Sequence, residues 1–151
     1  MRKIIVVLVL LALSLPALGQ RLIVGEKAPE LRVARWLDGA GASAKKAMLI
    51  EFFLSSSEPS LKRIPELDAL AKKYPSVDVV VITREAHEKV ASLFPAGKYA
   101  FRVALDDEGK TFSGYGVQFI PFAVLQDARG RVVWFGNSSQ LTEEEVARAA
   151  R

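Results

Sequence analysis

The sequence predicts an α/β fold, a mixed central sheet with helices on both faces. Three observations carry this. Two short runs, Met48–Leu54, apolar except for Glu51, and Val77–Ile82, apolar except for Asp78, have the length of buried strands. Stretches with apolar residues at three- and four-residue spacing follow them, as amphipathic helices require. Two further strand-like runs close around Asp127-Ala128-Arg129-Gly130, which makes a hairpin. Strands alternating with helices give a parallel core, and the late hairpin adds antiparallel strands at its edge.

The chain has 151 residues, enough for one domain. Its first residues are not expected in the fold. Arg2 and Lys3 precede an unbroken apolar run, Ile4 to Leu13, and Ala17-Leu18-Gly19 then supplies small residues. This is the layout of a secretory signal, residues 1–19, cleaved after Gly19. The run is shorter than the roughly 17–25 residues of a spanning helix. Residues 20–151 are then an exported domain without a stable membrane span, periplasmic in a Gram-negative cell and extracellular otherwise. Losing Arg2 and Lys3 takes 21 basic residues to 19, against 17 acidic ones. That balance is near neutral, and no basic stripe carries interleaved aromatics, so nucleic acid is not an expected partner.

Along residues 20–151, Leu31 to Trp36 alternates apolar and polar, as a half-buried strand does. Asp38-Gly39 is a turn, and Lys45-Lys46 a charged pair in a loop. After the Met48–Leu54 strand, Leu61, Ile64, Leu67, Leu70 and Ala71 mark a helix face, with Lys62, Arg63, Glu66 and Asp68 on its polar side. Pro65 should kink that helix, and Tyr74-Pro75 ends it. Val77 to Ile82 is the second buried strand. Thr83 caps a helix from Arg84 to Leu93, in which His87, between Glu85 and Glu88, is a solvated residue. Phe101–Leu105 is a short strand and Thr111–Tyr115 a short helix stopped by Gly116. Phe122–Gln126 and Arg131–Phe135 form the hairpin, where Trp134, like Trp36, is strand packing. Thr142 and Glu145 form a capping box that opens a last helix reaching Ala150.

At Ser55-Ser56-Ser57-Glu58-Pro59-Ser60 a buried strand hands over to a helix. Ser57 suits the N-cap, accepting a bond from the Ser60 N–H. Glu58 suits the helix dipole, and Pro59 costs no hydrogen bond in a first turn. Glu51, within the preceding strand, is costly unless protonated, paired or hydrated. The residues leave two readings open. Glu51 is a proton-transfer group, or it is a structural residue paired with Lys62 or Lys72 or placed at an exposed sheet end.

The segment "MLIEFFLSSSEPSLKRIPELDALAKKY" resembles the redox-site region of the thioredoxin superfamily, in its TlpA/ResA-like (redoxin) branch. "GEKAPELRV" and "YGVQFIPFAVLQDARGRVV" resemble the same branch's lead-in and its late hairpin region. The resemblance implies a thioredoxin-like fold. It places Ser57 and Ser60 on the two redox cysteines, Ser56 on the usual Trp, Glu51 on the buried acid beneath the dithiol, and Pro121 on a cis-proline that orients substrate.

The chain has no cysteine. Dithiol–disulfide exchange needs a thiolate and a resolving thiol, and peroxidase chemistry needs a sulfenate, so this chain performs neither. Thiolate metal sites are also excluded, and no metal or other cofactor is implied. Serine is a weak nucleophile without an adjacent base, and nothing in the sequence brings His87 to Ser57. Glu51 would have to serve instead. The expectation is a non-catalytic binding module. Ser57, Glu58, Ile120, Pro121 and Phe122 would form a groove for an extended polypeptide or small acidic ligand, rimmed by Phe119, Phe122 and Leu54. The alternatives are a thiol-disulfide oxidoreductase of the cytochrome c maturation type whose cysteines were replaced, and a glutathione-linked enzyme using Ser57.

Overall fold

The computed structural model describes residues 21–39, 41–43 and 45–151. The expected signal segment, residues 1–19, lies outside them, as does Gln20. Six strands form one sheet in the order β1-β4-β3-β2-β5-β6. They are β1 (Arg35–Trp36), β2 (Ala47–Phe52), β3 (Val77–Thr83), β4 (Arg102–Leu105), β5 (Phe122–Gln126) and β6 (Val132–Asn137). The pairs β2–β3 and β3–β4 are parallel. The pairs β1–β4, β2–β5 and β5–β6 are antiparallel. The helices are α1 (Glu58–Lys73), α2 (His87–Leu93), α3 (Lys110–Gly114) and α4 (Glu143–Ala149).

Every residue of β3 is buried, which is why Val79–Ile82 is continuously apolar rather than alternating; Asp78 near its start is buried too and accepts the Ser43 N–H at 2.6 Å. Two cores flank the sheet. On one face Leu49, Val79, Val81 and Leu125 meet Leu67 of α1, Val90 of α2 and Val146 of α4. On the other, Ile50, Phe52, Val80 and Val124 meet Phe112 of α3, with Leu22, Leu31 and Val33 of the lead-in packed against them. Helices therefore cover both faces, as expected.

Several boundaries differ from expectation. Only Arg35 and Trp36 of the 31–36 segment pair as a strand. Arg32 instead exchanges backbone hydrogen bonds with the Thr111 hydroxyl, 2.8 Å and 2.6 Å, and so ties the lead-in to α3. Thr83 does not cap α2. It ends β3, and the N-cap is Ala86, without a side-chain bond. Helix α1 contains Pro65 and ends just before Tyr74, as the sequence predicts. Its buried stripe is Ser60, Arg63 and Leu67, while Leu61 is 38% exposed. Arg63, expected on the polar side, is only 5% exposed, because it faces a buried carboxylate. The capping box at Thr142 and Glu145 is formed from both sides.

Candidate functional site at the start of helix α1

Strand β2 ends at Phe52 and α1 begins at Glu58, so five residues make the turn. Ser57 is the N-cap, with extended backbone, and its Oγ accepts the Ser60 N–H at 3.3 Å. The Leu61 N–H reaches the Ser57 carbonyl at 3.1 Å. Glu58 pairs with Lys62 one turn on. Lys62 is thus not the partner of Glu51, and Lys72 is committed to Asp68.

A second carboxylate holds the turn from outside. Ser55 donates its N–H to Glu85 Oε2 at 3.0 Å and its O–H to Oε1 at 2.5 Å. Lys89 pairs with the same Oε1 at 3.0 Å. Burial pushes the Glu85 carboxyl up, but the bonds from Ser55 and Lys89 outweigh it and hold the group below the usual range. In the sequence Glu85 was only a neighbour of His87. The signal it left is a serine run opposite the exit of a parallel strand.

Beneath the turn, Glu51 is fully buried and shares the α1-facing side of β2 with Leu49. Its Oε1 accepts the Ser138 hydroxyl at 2.7 Å and lies 3.6 Å from Arg63 Nε. Arg63 Nη1 also meets Glu66. Desolvation pushes the Glu51 carboxyl up to about 7, against the opposing pull of Arg63 and Ser138. Glu51 is therefore paired and buried, not at an exposed sheet end, and its partners are Arg63 and Ser138 rather than lysines. Among the described residues, Glu51 Oε2, Ser60 Oγ, Arg63 Nε and Arg63 Nη2 are buried without a hydrogen-bond partner.

The segment before β5 reaches the same end of the sheet. Phe52, the last residue of β2, lies opposite Phe122, the first of β5. The chain on either side, 53–57 and 119–121, therefore leaves the sheet side by side. The Ile120–Pro121 peptide is cis. The Pro121 carbonyl accepts the Ser138 N–H at 3.4 Å, which continues the β5–β6 ladder by one step. Phe119 is 51% exposed and meets Phe122 edge-on, ring centres 5.3 Å apart. Phe122, expected on the rim, is buried against Phe52, at 5.8 Å. The apolar side chains that do face outward here are Phe119 and Leu61.

Nothing in this arrangement activates Ser57. Its Oγ serves the helix cap, and the acid beneath is engaged by Ser138 and Arg63. His87 is half-buried rather than solvated. It lines a cavity of about 250 Å³ with Leu37, Phe94, Tyr99 and Phe101. Among the described residues no cluster of His, Asp and Glu could hold a metal, and no helix is long and apolar enough to cross a membrane.

No family model matches the chain. Over 132 residues it is 27% identical to the thiol-disulfide oxidoreductase ResA of Bacillus cereus, covering 83% of this chain and 76% of that protein. Its fold is similar to a structure assigned as the thiol:disulfide interchange protein DsbE of Chlorobium tepidum. That match has a TM-score of 0.74 and 23% identity, over 86% of this chain and 99% of the other. StoA of Bacillus subtilis is similar at a TM-score of 0.66 and 20% identity, over 83% and 100%. The protein thus has a thioredoxin-like fold, shared with the DsbE and StoA structures, and a sequence similar to ResA, and it opens α1 with Ser57 and Ser60 in a chain that carries no cysteine.

Proposed function

We propose that this is an exported, redox-inactive thioredoxin-like module that holds an extended polypeptide against the start of α1 and the 119–122 segment. One observation carries the reading: the turn into α1 is fully built, capped by Ser57 and clamped by Glu85, in a chain with no sulfur nucleophile. Export rests on the signal-like first 19 residues. Ser57, Glu58, Ile120 and Pro121 supply polar and backbone contacts, and exposed Leu61 and Phe119 supply apolar ones.

A polypeptide is favoured over a small acidic ligand. Anions bind helix N-termini through free N–H groups. Of the first four N–H groups of α1, Pro59 has none, that of Ser60 is taken by the cap and that of Leu61 by the Ser57 carbonyl, which leaves a single N–H, that of Glu58. Glu58 adds a negative charge at the mouth.

The test uses insulin B chain with its thiols blocked by iodoacetamide, a neutral extended probe. Titrated into labelled protein, it shifts the amide signals of Ser57, Glu58, Phe119, Ile120 and Phe122, and Phe119→Ser weakens the effect. Shifts scattered elsewhere, or none at millimolar probe, overturn the reading.

A further inference from the structure

Ser138 is bonded in two directions. Its hydroxyl donates to Glu51 Oε1 at 2.7 Å, and its N–H donates to the Pro121 carbonyl at 3.4 Å. It is fully buried and starts a 3-10 turn, Ser138–Gln140, in which Asn137 Oδ1 accepts the Ser139 N–H at 3.0 Å. The pairing of Phe122 with Asn137 places Pro121 opposite Ser138, so the link follows from strand register. One residue therefore connects the buried acid of β2 to the backbone at the candidate face.

We infer that Glu51 and Ser138 are positioning residues for the Pro121 carbonyl, with the charge on Glu51 setting how firmly the 119–121 segment is held. The proposed function enters only as what that segment would contact. An ionised carboxylate is a much stronger acceptor than a neutral one. With Glu51 ionised, the Ser138 hydroxyl is anchored and its turn is fixed. With Glu51 neutral, that anchor weakens. The Ser138–Pro121 bond, at 3.4 Å already longer than the usual N–H···O range of about 2.7–3.2 Å, is the next to loosen.

The surroundings of Glu51 make the change accessible near neutral pH. Its neighbours across the ladders are Val81 of β3 and Ala123 of β5, neither of which titrates. The charged groups acting on it are Arg63 and Glu66, both from α1, and the turn contributes the neutral Ser138. Burial then brings protonation into the range around 7.

The test needs no ligand. In ¹³C,¹⁵N-labelled protein, the Glu51 carboxyl carbon, the Ser138 amide nitrogen and the Pro121 carbonyl carbon are followed by NMR from about pH 5.5 to about 8.5. All three are expected to shift with one shared midpoint. In Glu51→Gln the step vanishes at Ser138 and Pro121. In Ser138→Ala, which keeps the backbone N–H, Glu51 still titrates but Pro121 no longer follows. A Pro121 carbonyl that stays flat while Glu51 titrates overturns the inference. So does a Pro121 step that survives in either variant, or a Glu51 that does not titrate in this range in the unmodified protein. Binding of the blocked B chain is read separately, so failure of the peptide reading leaves this outcome intact, and the reverse.

Discussion

Replacing Glu51 by Gln should remove a defined part of the protein's pH-dependent stability. Burial raises this carboxyl from 4.5 to about 7 in the folded chain. The folded state therefore binds the proton more tightly than the unfolded state. The acid's contribution is fully present below about 4.5, is lost as pH rises to about 7, and stays lost above that. At about 1.4 kcal/mol per pH unit, the loss is of order 3 kcal/mol. That is a large share of a typical 5–15 kcal/mol of total stability. Gln keeps the shape and cannot titrate. Urea unfolding at about pH 5 and about pH 8 gives four free energies. The wild type should lose about 2–3 kcal/mol more than Glu51→Gln between the two. Asp68, Glu85, Glu108 and Glu143 are all held below their usual values, so they titrate under this window. Equal losses in the two proteins would refute the reasoning, because then Glu51 either titrates normally or is not buried.

Removing the cation instead should act most at high pH. Arg63→Met strands an ionised Glu51 at pH 8 and costs about 3–5 kcal/mol, and clearly less at pH 5, by the same urea measurements. Glu85→Ala frees the Ser55 N–H and O–H, costs about 1–3 kcal/mol, and speeds amide exchange at Ser55. The Glu85 carboxyl is depressed, so in the wild type that contribution is present above its unfolded pKa and fades as pH falls through the folded one. Introducing sulfur, as Ser57→Cys with Ser60→Cys, should give a chain that catalyses insulin reduction by dithiothreitol, whereas either single variant does not. Thr142→Ala breaks the capping box and lowers stability by about 1 kcal/mol in thermal unfolding.

Much of the fold was legible because its periods are simple. The nearly continuous apolar runs of β2 and β3, broken only by Glu51 and Asp78 before Thr83, announced strands covered on both faces, and the hairpin and the Thr142 box came from local turn and cap chemistry. The 31–36 segment misled because alternation reports half-burial, not pairing. Leu31 and Val33 are turned toward the core, yet Arg32 bonds to Thr111 instead of a neighbouring strand. Around the candidate site, the Ser57 cap was visible in sequence and the environment of Glu51 was not. Which helix residue meets a buried acid depends on the rotation of α1. A turn that points Ser60 inward brings Arg63 with it and leaves Leu61 outside. Ser138 and Glu85 come from distant parts of the chain, and no spacing rule joins them to residues 51 and 55.

The grip of Glu85 on Ser55 has a consequence for how this surface behaves in its surroundings. Where a turn is closed by a bond between two sulfurs, its shape alternates as that bond is made and broken. Here the closure is a carboxylate on a hydroxyl and an amide, neither of which responds to oxidants or reductants. The contour of this arch is therefore the same under oxidising and under reducing conditions.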